Sequence, residues 1–124
     1  MDRVVPILGV ADVGASLEYF VEVLGFSVDA AFGGESDGPA YGIVSRGDIA
    51  IHVQSGWTPR AGSREPHETD AYVYVADADA LLAELQGRGV VLYRDMVDND
   101  YGMRDFCVAT PDGLRIAFGS PLPT

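Results

Sequence analysis

The side chains of this 124-residue chain that could do chemistry are few and far apart in sequence. It has two histidines, His52 and His67, and a single cysteine, Cys107. His52 sits in the alternating run Ile51-His52-Val53, and Asp70 heads another such run. The two would make an acid–base pair if both faced one cavity; an ordinary hydrogen-bonded strand residue accounts for His52 equally well. Cys107 lies in the apolar run Phe106-Cys107-Val108 with no cationic neighbour or helix start to activate it. It therefore reads as a small packed side chain rather than a nucleophile. Asp95, Asp98 and Asp100 cluster before Tyr101 but lack the Gly and Glu of a calcium loop, so they read as a solvated acidic loop. A glycine-rich phosphate loop is absent from the sequence.

The chemistry is bounded further by charge and composition. A formal net charge of −11 opposes nucleic acids and anionic membranes, which bind through Lys and Arg. The same charge serves solubility, or the attraction of a cationic ligand. No apolar run approaches the ~18 residues needed to span a bilayer. Met1-Asp2-Arg3-Val4 lacks the pattern of a secretory signal, and a lone cysteine precludes an internal disulfide. The expectation is a cytoplasmic globular protein.

The elements that must position these residues come in two similar sets. Asp12 opens a helical stripe of Val13, Leu17, Phe20, Val21 and Leu24, with Glu18 and Glu22 off the stripe and Gly25 as its stop. Val75-Ala76-Asp77 repeats Val10-Ala11-Asp12 at a distance of 65 residues, followed by Leu81, Leu82 and Leu85 and then Gly87 and Gly89. Strand-like runs precede each helix, at 4–10 and 71–75. Three more follow each, at 26–32, 41–45 and 49–54, then at 90–96, 104–109 and 114–119. Pro111-Asp112-Gly113 reads as a tight turn. The prediction is an α+β chain of tandem βαβββ modules, 1–54 and 70–124, joined by a Gly/Pro-rich linker at 55–69.

Several stretches resemble the glyoxalase/bleomycin resistance protein/dioxygenase family, the vicinal-oxygen-chelate superfamily. They are Pro6-Ile7-Leu8-Gly9-Val10-Ala11-Asp12, Ala15-Ser16-Leu17-Glu18-Tyr19-Phe20 and Leu24-Gly25-Phe26. Tyr101-Gly102-Met103-Arg104-Asp105-Phe106 and Thr110-Pro111-Asp112-Gly113-Leu114-Arg115-Ile116 extend the likeness nearly end to end. The former looks closest to the bleomycin-resistance branch. The resemblance implies half-open barrels, completed in a homodimer, that enclose a cavity. It also implies four metal-ligand positions, which fall here on Val5, His52, Asp70 and Ala117. Val and Ala offer no donor atom, and His67 lies in the linker, so no metal and no other cofactor are expected.

Alternation then assigns the cavity lining. With Ala71, Val73 and Val75 toward the helix, Asp70, Tyr72 and Tyr74 face the concave side; with Ile49, Ile51 and Val53 toward the helix, so do Ala50, His52 and Gln54. Phe32 and Tyr41 flank the loop Gly33-Gly34-Glu35-Ser36-Asp37-Gly38, Trp57 is either a lid or a loop staple, and Tyr101 and Met103 lie in the family-like segment. The expected ligand-binding set is thus Phe32, Tyr41, His52, Gln54, Trp57, Asp70, Tyr72, Tyr74, Tyr101 and Met103, with no catalytic residue. Asp70, Asp98, Asp100 and Asp105 are candidate rim acids for drawing in a cation. The resemblance implies non-catalytic sequestration of a bleomycin-like or other large, partly planar natural-product antibiotic. The alternatives are a metal-dependent glyoxalase- or dioxygenase-type enzyme, a metal-free enzyme using His52 and Asp70, and an accessory module with no small ligand.

Overall fold

The structure is a computed structural model that describes residues 1–34, 36, 38–56 and 65–123. The chain divides into two compact units, Met1–Arg64 with Pro111–Gly113, and Glu65–Thr110 with Leu114–Thr124. Each carries one helix and one four-stranded mixed sheet, which makes the protein α+β with tandem βαβββ modules.

In the first unit β1 (Ile7–Gly9) leads into α1 (Val13–Glu22), followed by β2 (Ser27–Phe32), β3 (Tyr41–Arg46) and β4 (Ile49–Gln54). The sheet order is β1-β4-β3-β2, with β1 parallel to β4 and the other pairs antiparallel. Asp12 caps α1 by accepting the Ala15 N–H at 3.1 Å. Gly25 adopts a φ of 73°, so the chain can turn directly into β2. Val13, Leu17, Phe20 and Leu24 are buried with Val44, Ile51 and Val53 of the sheet, and Phe20 meets Phe26 edge to face at 5.3 Å. Val21, placed on the stripe from its spacing, is 39% exposed; it sits at the margin of the arc that Phe20 centres. The first strand begins three residues later than expected from Val4, which is exposed. Pro6 has no N–H to pair, although its carbonyl accepts from His52 N at 3.0 Å.

The second unit repeats the order with β5 (Ala71–Tyr74), α2 (Ala78–Gly87), β6 (Leu92–Asp98), β7 (Met103–Ala109) and β8 (Arg115–Pro121), arranged β5-β8-β7-β6. Two side chains hold the start of α2. Asp77 accepts Ala80 N–H at 3.0 Å, and the buried Ser120 hydroxyl accepts Ala78 N–H at 3.0 Å. Leu85 is buried beneath α2, and Phe106 stacks on Phe118 at 5.6 Å. Leu81 and Leu82 are only half-buried.

Candidate ligand-binding site

Period-2 alternation decides which side chains of the second sheet leave the core. Phe106 and Val108 on β7, Ile116 and Phe118 on β8, and Val73 on β5 are buried on the helix side. Their neighbours Asp105, Cys107, Ala117 and Tyr72 therefore take the opposite face. There they line a pocket of about 400 Å³ together with Arg94, Tyr93, Asn99, Tyr101 and the segment around His67. Pockets that bind drug-sized molecules begin at roughly this size.

Asp105 organises the polar end of the pocket. It has no accessible surface, and its Oδ2 accepts the Tyr72 hydroxyl at 2.8 Å and the Tyr101 hydroxyl at 2.5 Å. Arg94 donates from Nη2 to Asp105 Oδ1 at 2.7 Å and from Nη1 to the carbonyls of Asp95 and Asp105. Burial pushes the Asp105 carboxyl up, but hydrogen bonds from Tyr101, Tyr72, Asn99 and Arg94 outweigh it and hold the group below the ordinary carboxylate range. Burial and the bond to Asp105 raise the Tyr72 phenol, and the bond to Asp105 does the same for Tyr101. Both therefore stay neutral hydrogen-bond donors to a carboxylate that stays charged.

The segment before β5 is fastened to the sheet by two side chains. Tyr93 donates to the Pro66 carbonyl at 2.6 Å, and Arg115 Nη1 donates to the carbonyls of Glu65 and Glu68. Arg115 also lies 4.0 Å above the Tyr93 ring, so the two anchors brace each other. Pro66, His67 and Thr69 thereby become pocket wall.

The expected site residues fall into separate groups. Tyr72 and Tyr101 line the pocket. Tyr74 is 72% exposed and packs its ring at 5.2 Å from that of Tyr72. Met103 is half-buried at the start of β7, where its carbonyl accepts from the Asn99 side chain. Asp70 accepts the Arg115 backbone N–H at 2.8 Å, so its carboxylate closes the β5–β8 edge. In the first unit the Tyr41 hydroxyl and His52 Nδ1 share a hydrogen bond of 2.7 Å, with Gln54 exposed and Phe32 largely so. Trp57 lies outside the described residues. Two rim acids are placed differently from the expectation: Asp105 is buried against Arg94, and Asp98 is bound by Arg104 at 2.7 Å. Neither is a free anion awaiting a cation.

Asp105, Arg94, Asn99 and Tyr93 were missing from the expected lining, although alternation about Phe106 and Val108 points Asp105 and Cys107 away from the helix. Cys107 is 1% exposed, and burial raises its thiol, leaving it an unactivated wall residue.

The donors present do not suit a resident metal of the kind the fold family uses. Within each unit the expected positions provide one donor, His52 or Asp70, and both already hold hydrogen bonds. Among the described residues no group of three or more His, Cys, Asp or Glu side chains assembles to hold an ion.

Tandem βαβββ modules, one with a tyrosine-walled pocket, define the class as a paired-module α+β protein of the glyoxalase type. The chain belongs to the Glyoxalase/Bleomycin resistance protein/Dioxygenase superfamily, which matches residues 1–118. No curated protein matches it at a significant level. It is similar to the crystal structure of a bleomycin-binding protein from bleomycin-producing Streptomyces verticillus complexed with copper(II)-bleomycin. That likeness has 25% identity and a TM-score of 0.68, covering 100% of this chain and 98% of the other. TnmS3, an antibiotic binding protein from Streptomyces sp. CB03234, shows 22% identity and a TM-score of 0.73, with 98% and 97% covered. A glyoxalase-related enzyme from Clostridium phytofermentans shows 21% identity and a TM-score of 0.78, with 98% and 96% covered. Among the described residues no helix is long and apolar enough to cross a membrane.

Proposed function

We propose that this protein binds and sequesters a large, partly planar natural product of the antibiotic type without transforming it. The observation that carries this reading is the pocket of the second unit. Its walls include three tyrosines, and the polar groups gathered around Asp105 are satisfied by one another rather than poised over a reacting atom. Within the polar cluster of this pocket Asp105 stays charged and the two tyrosines stay neutral, so none of these three is poised to exchange a proton with a bound compound. The similarity to bleomycin-binding protein and TnmS3 supports the same choice.

The reading includes the residues named from the sequence as contributors: Tyr72 and Tyr101 on this pocket, and Phe32, Tyr41, His52, Gln54, Trp57, Asp70, Tyr74 and Met103 around the ligand. It includes modules at 1–54 and 70–124 with a linker at 55–69, working as a cytoplasmic homodimer. Resistance of the producing or exposed cell is the proposed benefit.

Calorimetric titration with metal-free bleomycin, copper(II)-bleomycin and a panel of planar antibiotics tests it. Micromolar or tighter binding, with the compound recovered unchanged by mass spectrometry, is expected. Absence of such binding across the panel, or conversion of the compound, would refute the proposal.

A further inference from the structure

The hydrogen-bonding polarity of the pocket narrows the ligand further. A phenol has one proton to give. The protons of Tyr72 and Tyr101 both go to Asp105 Oδ2, so what either hydroxyl has left to offer a ligand is a lone pair. The carboxylate behind them withdraws neither proton from its own service, because it is buried and remains charged. Two neighbouring acceptors backed by an anion suit a donor.

The aromatic rings point the same way. Tyr72 and Tyr74 lie 5.2 Å apart with a 57° tilt, while Tyr93 and Tyr101 stand on the pocket wall. Ring faces carry the negative part of the quadrupole and attract cations. Tyr93 already holds the Arg115 guanidinium at 4.0 Å. Arg94 is the group that would favour an anion instead. Its Nη1 donates to Asp95 O and Asp105 O, one Nη2 N–H goes to Asp105 Oδ1, and its charge is opposed by that of Asp105 at 2.7 Å. The chain as a whole carries −11, which adds a long-range bias toward cations.

We infer that the polar end of this pocket reads a protonated amine, or another cationic N–H donor, on the ligand, through the phenol oxygens of Tyr72 and Tyr101. The inference rests on the ligand-binding reading above and specifies the group that enters first-hand contact with the tyrosine pair.

Three probes of one shape separate the possibilities: 2-naphthylmethylammonium, 2-naphthylmethanol and 2-naphthoate, titrated into the whole protein by NMR. The ammonium is expected to bind about tenfold tighter than the alcohol, the value of a hydrogen bond to a charged donor, with the carboxylate weakest. In Tyr101→Phe, and in Tyr72→Phe, that preference should shrink to about half its size or less on a logarithmic scale, since one acceptor of the pair is gone. Tyr101 is 65% exposed, so its Phe variant is expected to fold, and a thermal melt checks this. A preference for the carboxylate, an ammonium-to-alcohol ratio unchanged in both variants, or no binding by any probe would overturn the inference. Failure of the two readings can be told apart with an antibiotic from the panel that carries a free amine. If it binds and its N-acetylated form binds equally, the amine inference fails while sequestration stands. If no antibiotic binds but the ammonium probe does, with the tyrosine dependence, the converse holds.

Discussion

Gly119→Ala is the most searching perturbation of the Tyr72–Asp105 pair. A Cβ at Gly119 would lie 2.1 Å from the Tyr72 hydroxyl oxygen, 2.8 Å from Tyr72 Cζ and 3.0 Å from Asp105 Cβ. The first two distances cannot be borne, so the Tyr72 ring must swing off β8 and release Asp105. A hydrogen bond to a charged group is worth about 1.5–3 kcal/mol. Asp105 keeps Tyr101 and Arg94, which places the loss toward the lower end. Gly119 is not among the glycines with positive φ, so alanine is conformationally acceptable and returns about 0.4–1 kcal/mol through the unfolded chain. The net expectation is a loss of about 0.5–1.5 kcal/mol in urea unfolding, with weakened ligand binding. Repeating the substitution in a Tyr72→Ala background isolates the cause. With the ring gone, only the 3.0 Å approach to Asp105 remains, and the methyl should cost less than half as much. An equal cost in both backgrounds would refute the steric account, as would a Gly119→Ala variant as stable and as competent in binding as the parent.

Three other outcomes follow from the same geometry. Because the Asp105 carboxyl is held low in the fold, the native state binds fewer protons than the unfolded chain. Its contribution is complete above the unfolded value of about 3.9 and is lost as pH falls through the folded value. Urea melts should therefore show the parent losing more stability than Asp105→Asn between about pH 5 and pH 3; parallel losses would contradict this. In the first unit, a Cβ at Gly42 would meet Leu17 Cδ2 at 2.6 Å, so Gly42→Ala should overpack α1 against β3 and cost about 1–3 kcal/mol by chemical denaturation. Elemental analysis after incubation with zinc, manganese or nickel and dialysis should find well under one ion per chain; a stoichiometric ion would overturn the donor count at Val5, His52, Asp70 and Ala117.

The scaffold was highly legible because its signals are local. Asp12 and Asp77 cap helices at the positions their spacing suggests, and the strand runs fall within a few residues of those observed. The pocket was only half legible. Tyr72 follows from alternation on β5, but the partner that gives it meaning is 33 residues away, and a charged residue beside Arg104 reads as a surface acid. What buries Asp105 is the simultaneous supply of two tyrosine hydroxyls and Arg94, a long-range condition that no local pattern carries. Asp70 shows the same limit: its carboxylate accepts the Arg115 N–H at the start of β8, a partner 45 residues away that no local pattern announces.

The duplication explains both the success and the shortfall. Strand register matches Ile7 to His52 in the first sheet and Tyr72 to Ala117 in the second, each pair shifted by 65 residues. By register, Tyr41 pairs with Gln54 and Asp105 with Gly119, so the third strand of the second sheet is matched at a shift of 64 rather than 65. Tyr72 thus occupies the seat of Ile7, Asp105 that of Tyr41, Ala117 that of His52 and Gly119 that of Gln54. In the first unit these seats yield a Tyr41–His52 bond between adjacent strands. In the second, Tyr72 on β5 must cross the whole width of β8 to reach Asp105 on β7. It can do so because the intervening seats hold Ala and Gly; a glutamine at 119, as at the seat of Gln54, would fill the path that the phenol takes. The site therefore depends on a joint choice at four seats, of which repeat symmetry specifies the locations and none of the occupants.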